Sequence, residues 1–101
     1  MHVDWQGVFP AATTQFGADQ SLDLAATLAH VDAMIGAGID GLIMLGTVGE
    51  NCSLERREKL DVLKMAVDQI AGRVPVLTGV AECSTRMACR FAEEAHAAGV
   101  N

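Results

Sequence analysis

Three short, almost uninterrupted apolar runs alternate with three segments of helical period, and that alternation limits the fold more than any other feature of the chain. The runs fall at about 7–13, 41–46 and 75–79. Continuous apolar character over so few residues is the mark of parallel strands buried on both faces. The first helical segment, about 21–37, repeats Leu24, Leu28, Val31 and Ile35 at helix spacing, with Ser21 placed to cap its start and Gly38 its end. The second, about 54–71, sets Leu60, Leu63, Val67 and Ile70 on one stripe, with Ser53 as cap, Glu55 in the first turn and Gly72 and Pro75 closing it. The third, about 85–98, carries Met87, Phe91 and Ala95 four apart and ends at Gly99.

Strand followed by helix, three times over, predicts a parallel α/β fold. Right-handed crossovers between neighbouring strands put all three helices on one side of the sheet. The other face is then bare. In an eight-stranded barrel that face is the packed interior, whereas a doubly wound sheet needs helices on both sides. An internal echo points the same way. Ala37-Gly38-Ile39-Asp40 leads from the first helix into a strand, and Ala98-Gly99-Val100-Asn101 repeats its form after the third. The expectation is a fourth strand at the next position, so that 1–101 is the N-terminal part of a single barrel domain; the alternatives are a self-contained, non-catalytic anion-binding α/β module and an assembly fragment that works only by docking to the rest of a barrel.

Half of the 101 residues are hydrophobic and 20% are charged, a balance that calls for a packed interior and for apolar contacts beyond these residues. Thirteen acidic against seven basic side chains give a net charge of −6, the wrong sign for following a phosphate backbone, so a nucleic-acid partner is not expected. No apolar run nears the roughly 20 residues of a membrane helix. The opening Met1-His2-Val3-Asp4-Trp5 lacks the basic and apolar regions of a secretory signal, and a cytoplasmic location is expected. Cys52, Cys83 and Cys89 are odd in number and widely spaced, as in reduced thiols rather than a disulfide set or a zinc site.

In parallel α/β folds the chemistry collects where strands end and helices begin. The most specific such loop is Gly46-Thr47-Val48-Gly49-Glu50-Asn51. Its glycines let the backbone turn tightly and present N–H groups, which with a short hydroxyl suit a carboxylate or phosphate. The plainer reading is a strand-to-helix turn whose Thr47 and Glu50 satisfy local backbone groups. Neither the Gly-Lys-Ser/Thr of a nucleotide-binding loop nor the third glycine of a dinucleotide site follows it.

This loop, Gly46-Thr47-Val48-Gly49-Glu50, resembles the Gly-Thr-Thr-Gly-Glu hallmark of the dihydrodipicolinate synthase and N-acetylneuraminate lyase family in four of its five positions. Gly7-Val8-Phe9-Pro10-Ala11 with Thr14 and Phe16 is similar to that family's opening strand, Ser53-Leu54-Glu55-Arg56-Arg57 to the start of its second helix, and Gly72 through Gly79 to its third strand. The resemblance implies the first three βα units of a (β/α)8 barrel that binds pyruvate or a related 2-oxo acid as a Schiff base, without metal or organic cofactor. It also implies a homo-oligomer when the barrel is whole. Thr47 would hydrogen-bond the family's catalytic tyrosine. Position 48 usually gives a hydroxyl and a backbone N–H to the substrate carboxylate; Val48 keeps only the N–H. Gln15, Ala81 and Cys83 depart from the pattern too, which suggests a member other than the lysine-biosynthesis enzyme.

The chain carries no tyrosine. Lys59 and Lys64 lie on the second helical segment and are expected to be solvated, with Glu55 and Lys59 as an i, i+4 pair, so neither suits a Schiff-base lysine, which needs a desolvated pocket. Cys52 and Cys83 share the presumed active face but have no neighbouring base. His2, His30 and His96 are expected in surface or packing roles.

Overall fold

The structure is a computed structural model that describes residues 3–101; His2 lies outside the described residues. Its elements, in order, are α1 (Leu24–Gly36), β1 (Leu42–Met44), a 3-10 turn (Asn51–Ser53), α2 (Arg56–Ile70), β2 (Val76–Thr78) and α3 (Thr85–Ala97). β1 and β2 run parallel, with Leu42 opposite Val76, Ile43 opposite Leu77 and Met44 opposite Thr78.

The expected first strand, 7–13, joins this sheet at a single parallel bridge, Ala11 to Ile43. Around it the Ala12 N–H donates to the Ile43 carbonyl and the Ile43 N–H to the Pro10 carbonyl, at 2.9 and 3.0 Å. The next rung towards the N-terminus would need an N–H from Pro10, which has none. Pairing stops there. Val8 instead engages Asp40, whose backbone N–H donates to the Val8 carbonyl and whose carboxylate accepts the Val8 N–H at 2.7 Å.

Each helix begins on a side-chain oxygen or a local turn, though not always the expected one. α1 starts at Leu24 with Asp23 as its cap, the carboxylate accepting the Ala26 N–H at 2.9 Å. Ser21 is unavailable for this: its hydroxyl donates to Asp19, its carbonyl accepts the Gly17 N–H, and the adjacent Leu22 bridges Phe16. α2 is capped by Glu55, whose N–H donates to the Glu58 carboxylate three residues on, while Ser53 belongs to the 3-10 turn. Ser84 caps α3, accepting the Met87 N–H. α3 ends as its sequence predicts: Gly99 takes φ +100°, and the Val100 N–H reaches back to the Ala95 carbonyl as Val100 is buried.

One apolar core joins Val31 of α1, Val62, Leu63, Ala66 and Ile70 of α2, and Phe91 and Ala95 of α3 to Leu42, Met44 and Val76 of the strands. The helices therefore cover one sheet face. The expected stripes are shifted at several points. Leu24 and Met87 are exposed, and Thr27 occupies a fully buried place in α1. That threonine is satisfied twice over, donating to the Asp23 carbonyl at 2.8 Å and accepting the Gln15 N–H at 3.0 Å. Across the other face runs the row Ala11, Ile43 and Leu77, exposed or half-buried. No helix among the described residues is long and apolar enough to cross a membrane.

Candidate active site

At the C-terminal end of β1 the chain enters a turn under tight steric control. Leu45 is fully buried at φ +55°, and Glu50 adopts φ +56°, left-handed conformations that a side chain tolerates only where its surroundings impose them. Between them the Glu50 N–H donates to the Thr47 carbonyl at 3.0 Å, closing the turn that displays Thr47 and Val48. Both side chains are exposed, Val48 at 51%.

The turn is held from two sides. From the first segment, the buried Thr14 hydroxyl donates to the Gly49 carbonyl at 2.7 Å. Gly49 itself has no room for a side chain, since a Cβ there would stand 2.9 Å from the Leu45 nitrogen and 3.1 Å from the Ala12 carbonyl oxygen. From the other side, the Asn51 amide nitrogen donates to the Leu45 carbonyl at 2.8 Å and to the Gly79 carbonyl at 3.4 Å. Gly79 lies against the same backbone; a Cβ on it would fall 2.2 Å from the Leu45 carbonyl oxygen. The ends of β1 and β2 and the singly bridged first segment thus converge on Leu45. Beside them opens a depression of about 370 Å³ lined by Gly46, Thr47, Glu50, Asn51, Cys52 and Val80, among others.

Thr47 and Val48 therefore lie on an exposed, rigidly backed turn at the strand ends. Nothing local distinguishes Asn51 beyond its place directly after a glycine-bearing turn, because one of the carbonyls it serves lies 28 residues away. The lysines divide. Lys64 is solvated and pairs with Asp68 at 3.6 Å. Lys59 is not: it is 5% exposed, its ammonium lies 3.1 Å from Glu82 in the loop after β2 and 5.6 Å from the centre of the Phe91 ring. The expected Glu55–Lys59 pair gives way because Lys59 turns inward to a partner that only the tertiary fold supplies. Cys52, Cys83 and Cys89 are free, exposed thiols.

Compared with known proteins, residues 4–101 match the dihydrodipicolinate synthetase family, nearly the whole chain. The chain belongs to that family. An uncharacterized DapA-like lyase of Rhizobium meliloti is 35% identical over 101 residues, all of this chain and 34% of the relative. Among solved structures, YagE of Escherichia coli K12, a prophage protein of the dihydrodipicolinic acid synthase family in complex with pyruvate, is 37% identical with a TM-score of 0.87; the match covers 93% of this chain and 32% of YagE. N-acetylneuraminate lyase of Mycoplasma synoviae matches at 26% identity and a TM-score of 0.86, over 93% of this chain and 32% of the lyase. The chain thus spans about a third of the length of its relatives, the N-terminal third.

Proposed function

We propose that this segment forms the first three βα units of a (β/α)8 barrel in a cytoplasmic, homo-oligomeric lyase that handles pyruvate or a related 2-oxo acid as a Schiff base. The observation that carries the reading is the turn at 46–50: two exposed residues, Thr47 and Val48, on a backbone clamped at the C-terminal ends of the strands, in a chain of this family. A relative solved with pyruvate, YagE, supports the choice of substrate class.

In this reading a lysine beyond the segment attacks the keto carbon, water leaves, and the resulting iminium draws electrons from the neighbouring carbon so that a bond there can form or break. Thr47 donates or accepts at a tyrosine hydroxyl, also beyond the segment, and keeps that hydroxyl in line to pass protons. The Val48 N–H binds the carboxylate of the oxo acid. Since valine has no hydroxyl, one hydrogen bond worth about 1 kcal/mol is missing from that end of the substrate. No lysine present here replaces the catalytic one, because Lys59 is bound to Glu82 and Lys64 is in water.

Borohydride reduction in the presence of pyruvate tests this. The full-length protein should gain the mass of one reduced pyruvyl group at a lysine outside 1–101, and the 101-residue chain should gain none. An unmodified full-length protein would instead favour an anion-binding α/β module without Schiff-base chemistry, and an adduct on Lys59 or Lys64 would overturn the roles given to those side chains.

A further inference from the structure

Thr47 and Val48 make no side-chain hydrogen bond of their own among the described residues, so their placement has to come from the backbone that carries them. That backbone is anchored by Asn51. Its side chain is buried, 2% exposed, and its amide nitrogen spans the Leu45 and Gly79 carbonyls at 2.8 and 3.4 Å. These two carbonyls belong to different strand ends. Beyond the end of β1 one regular sheet bond follows, from the Gly79 N–H to the Met44 carbonyl at 2.9 Å; past it the Leu45 carbonyl turns out of the ladder because of its positive φ. A donor is needed there, and the Asn51 side chain supplies it.

The other half of the same amide is informative. Asn51 Oδ1 is buried and has no hydrogen-bond partner among the described residues. A buried acceptor left unpaired weakens a fold. That oxygen comes with the amide, whose nitrogen gives its two donors to two carbonyls. The amide nitrogen cannot be exchanged with the oxygen either, since two carbonyls face it.

We infer that Asn51 is a positioning residue of the site: its amide bridges the ends of β1 and β2 and thereby sets where the Thr47–Val48 turn meets the reactants. The inference rests on the lyase reading above for the nature of those reactants, but the bridge itself does not. Asn51→Asp keeps the shape and loses both donors, setting carboxylate oxygens against two carbonyls. Asn51→Ser keeps one short donor.

In full-length protein, Asn51→Asp should raise the pyruvate concentration for half-maximal borohydride trapping by about tenfold, as the displaced turn loses about one hydrogen bond's worth of contact with the oxo acid. The trapped yield at saturating pyruvate should stay that of the parent, and Asn51→Ser should fall between. Amide hydrogen exchange should quicken in peptides covering 45–54 and 79–81 and remain unchanged in α2. Parental trapping and exchange in both variants would overturn the inference. So would quickened exchange throughout the chain, or failure of both variants to fold, because the amide would then serve the fold as a whole. Should the parent trap no pyruvate, the lyase reading fails and exchange alone decides: acceleration confined to the two strand ends upholds the bridge, and its absence removes it.

Discussion

The two loops that follow β1 and β2 lie side by side but are held in different ways. The loop after β1 is fixed by uncharged groups: the Thr14 hydroxyl, the Asn51 amide and two glycines pressed against Leu45. The loop after β2 shares the Gly79 contact at its start, but farther along it is tied down by an ion pair, Glu82 with Lys59, both nearly withdrawn from water, with side-chain exposures of 12% and 6%. Short neutral hydrogen bonds and backbone contact define a position within fractions of an ångström and lose little with salt. A buried ion pair offers attraction offset by the desolvation of both charges, so its net contribution to stability is small while the loss of one member is severe. In the lyase reading the first arrangement suits a turn that presents an N–H and a hydroxyl in a set geometry; the second ties a loop down with less directional control.

The largest effect expected from this contrast is at Gly79. A methyl group there collides with the Leu45 backbone, which cannot yield as a side chain could, and Gly79→Ala should cost at least about 4 kcal/mol or leave the protein insoluble. Gly46→Ala is the control in the same turn: nothing lies within 4 Å of its added Cβ, and a change below about 1 kcal/mol is expected in urea melts. Equal losses in the two would break the argument from close approach.

Next comes the ion pair. Lys59→Met should destabilise the full-length protein by about 3 kcal/mol, because Glu82 is left without a partner, and adding Glu82→Leu should restore most of it. A double variant as unstable as the single one would mean that Lys59 contributes through packing on Phe91 rather than charge. Thr47→Val probes the other loop through activity. If its hydroxyl orients the proton relay, kcat should fall by roughly tenfold to a hundredfold with little change in oxo-acid binding; parental turnover would make the hydroxyl dispensable.

The smallest effect belongs to a turn outside both loops. The Ser21 hydroxyl and backbone N–H, at 2.7 and 3.0 Å, hold the Asp19 carboxyl below its usual range. A carboxyl lowered in the folded state stabilises it above the unfolded value and ceases to do so as pH falls through the folded one. Asp19 is in water, so the contribution is slight. Proton-resolved titration should show the Asp19 midpoint rising part of the way towards that of a free aspartate in Ser21→Ala; no movement would assign the shift to the residue-21 backbone N–H rather than to the hydroxyl.

Much of this architecture is legible in the chain, because strand and helix patterns depend on local periodicity. The turn at 46–50 stands out for its glycines. What the pattern hides is what depends on contacts far apart in sequence. Lys59 has the look of a surface residue until α2 is set against the loop bearing Glu82, 23 residues away. Thr27 interrupts an apolar stripe but is buried at no loss, since both its hydrogen-bonding roles are met by 15 and 23. Asn51 reads as an ordinary polar residue after a turn until β2 brings the Gly79 carbonyl to it. The weak first strand was foreseeable from Pro10, whose missing N–H outweighs the apolar run around it.

Pro10 also acts as a register stop. Strand slippage by one residue would turn Ala11 towards the helices in place of the buried Ala12, and slippage by two towards the C-terminus would set the donorless Pro10 nitrogen opposite the Ile43 carbonyl, where the Ala12 N–H now donates. The ring thus opposes sliding in that direction, and the burial of Ala12 opposes a slip of one residue either way. Each residue of slip would move Thr14 by about 3.3 Å, beyond reach of the Gly49 carbonyl it now holds at 2.7 Å. A ring that forbids one hydrogen bond at the edge of the sheet thereby secures another, four residues later, on the turn that carries Thr47.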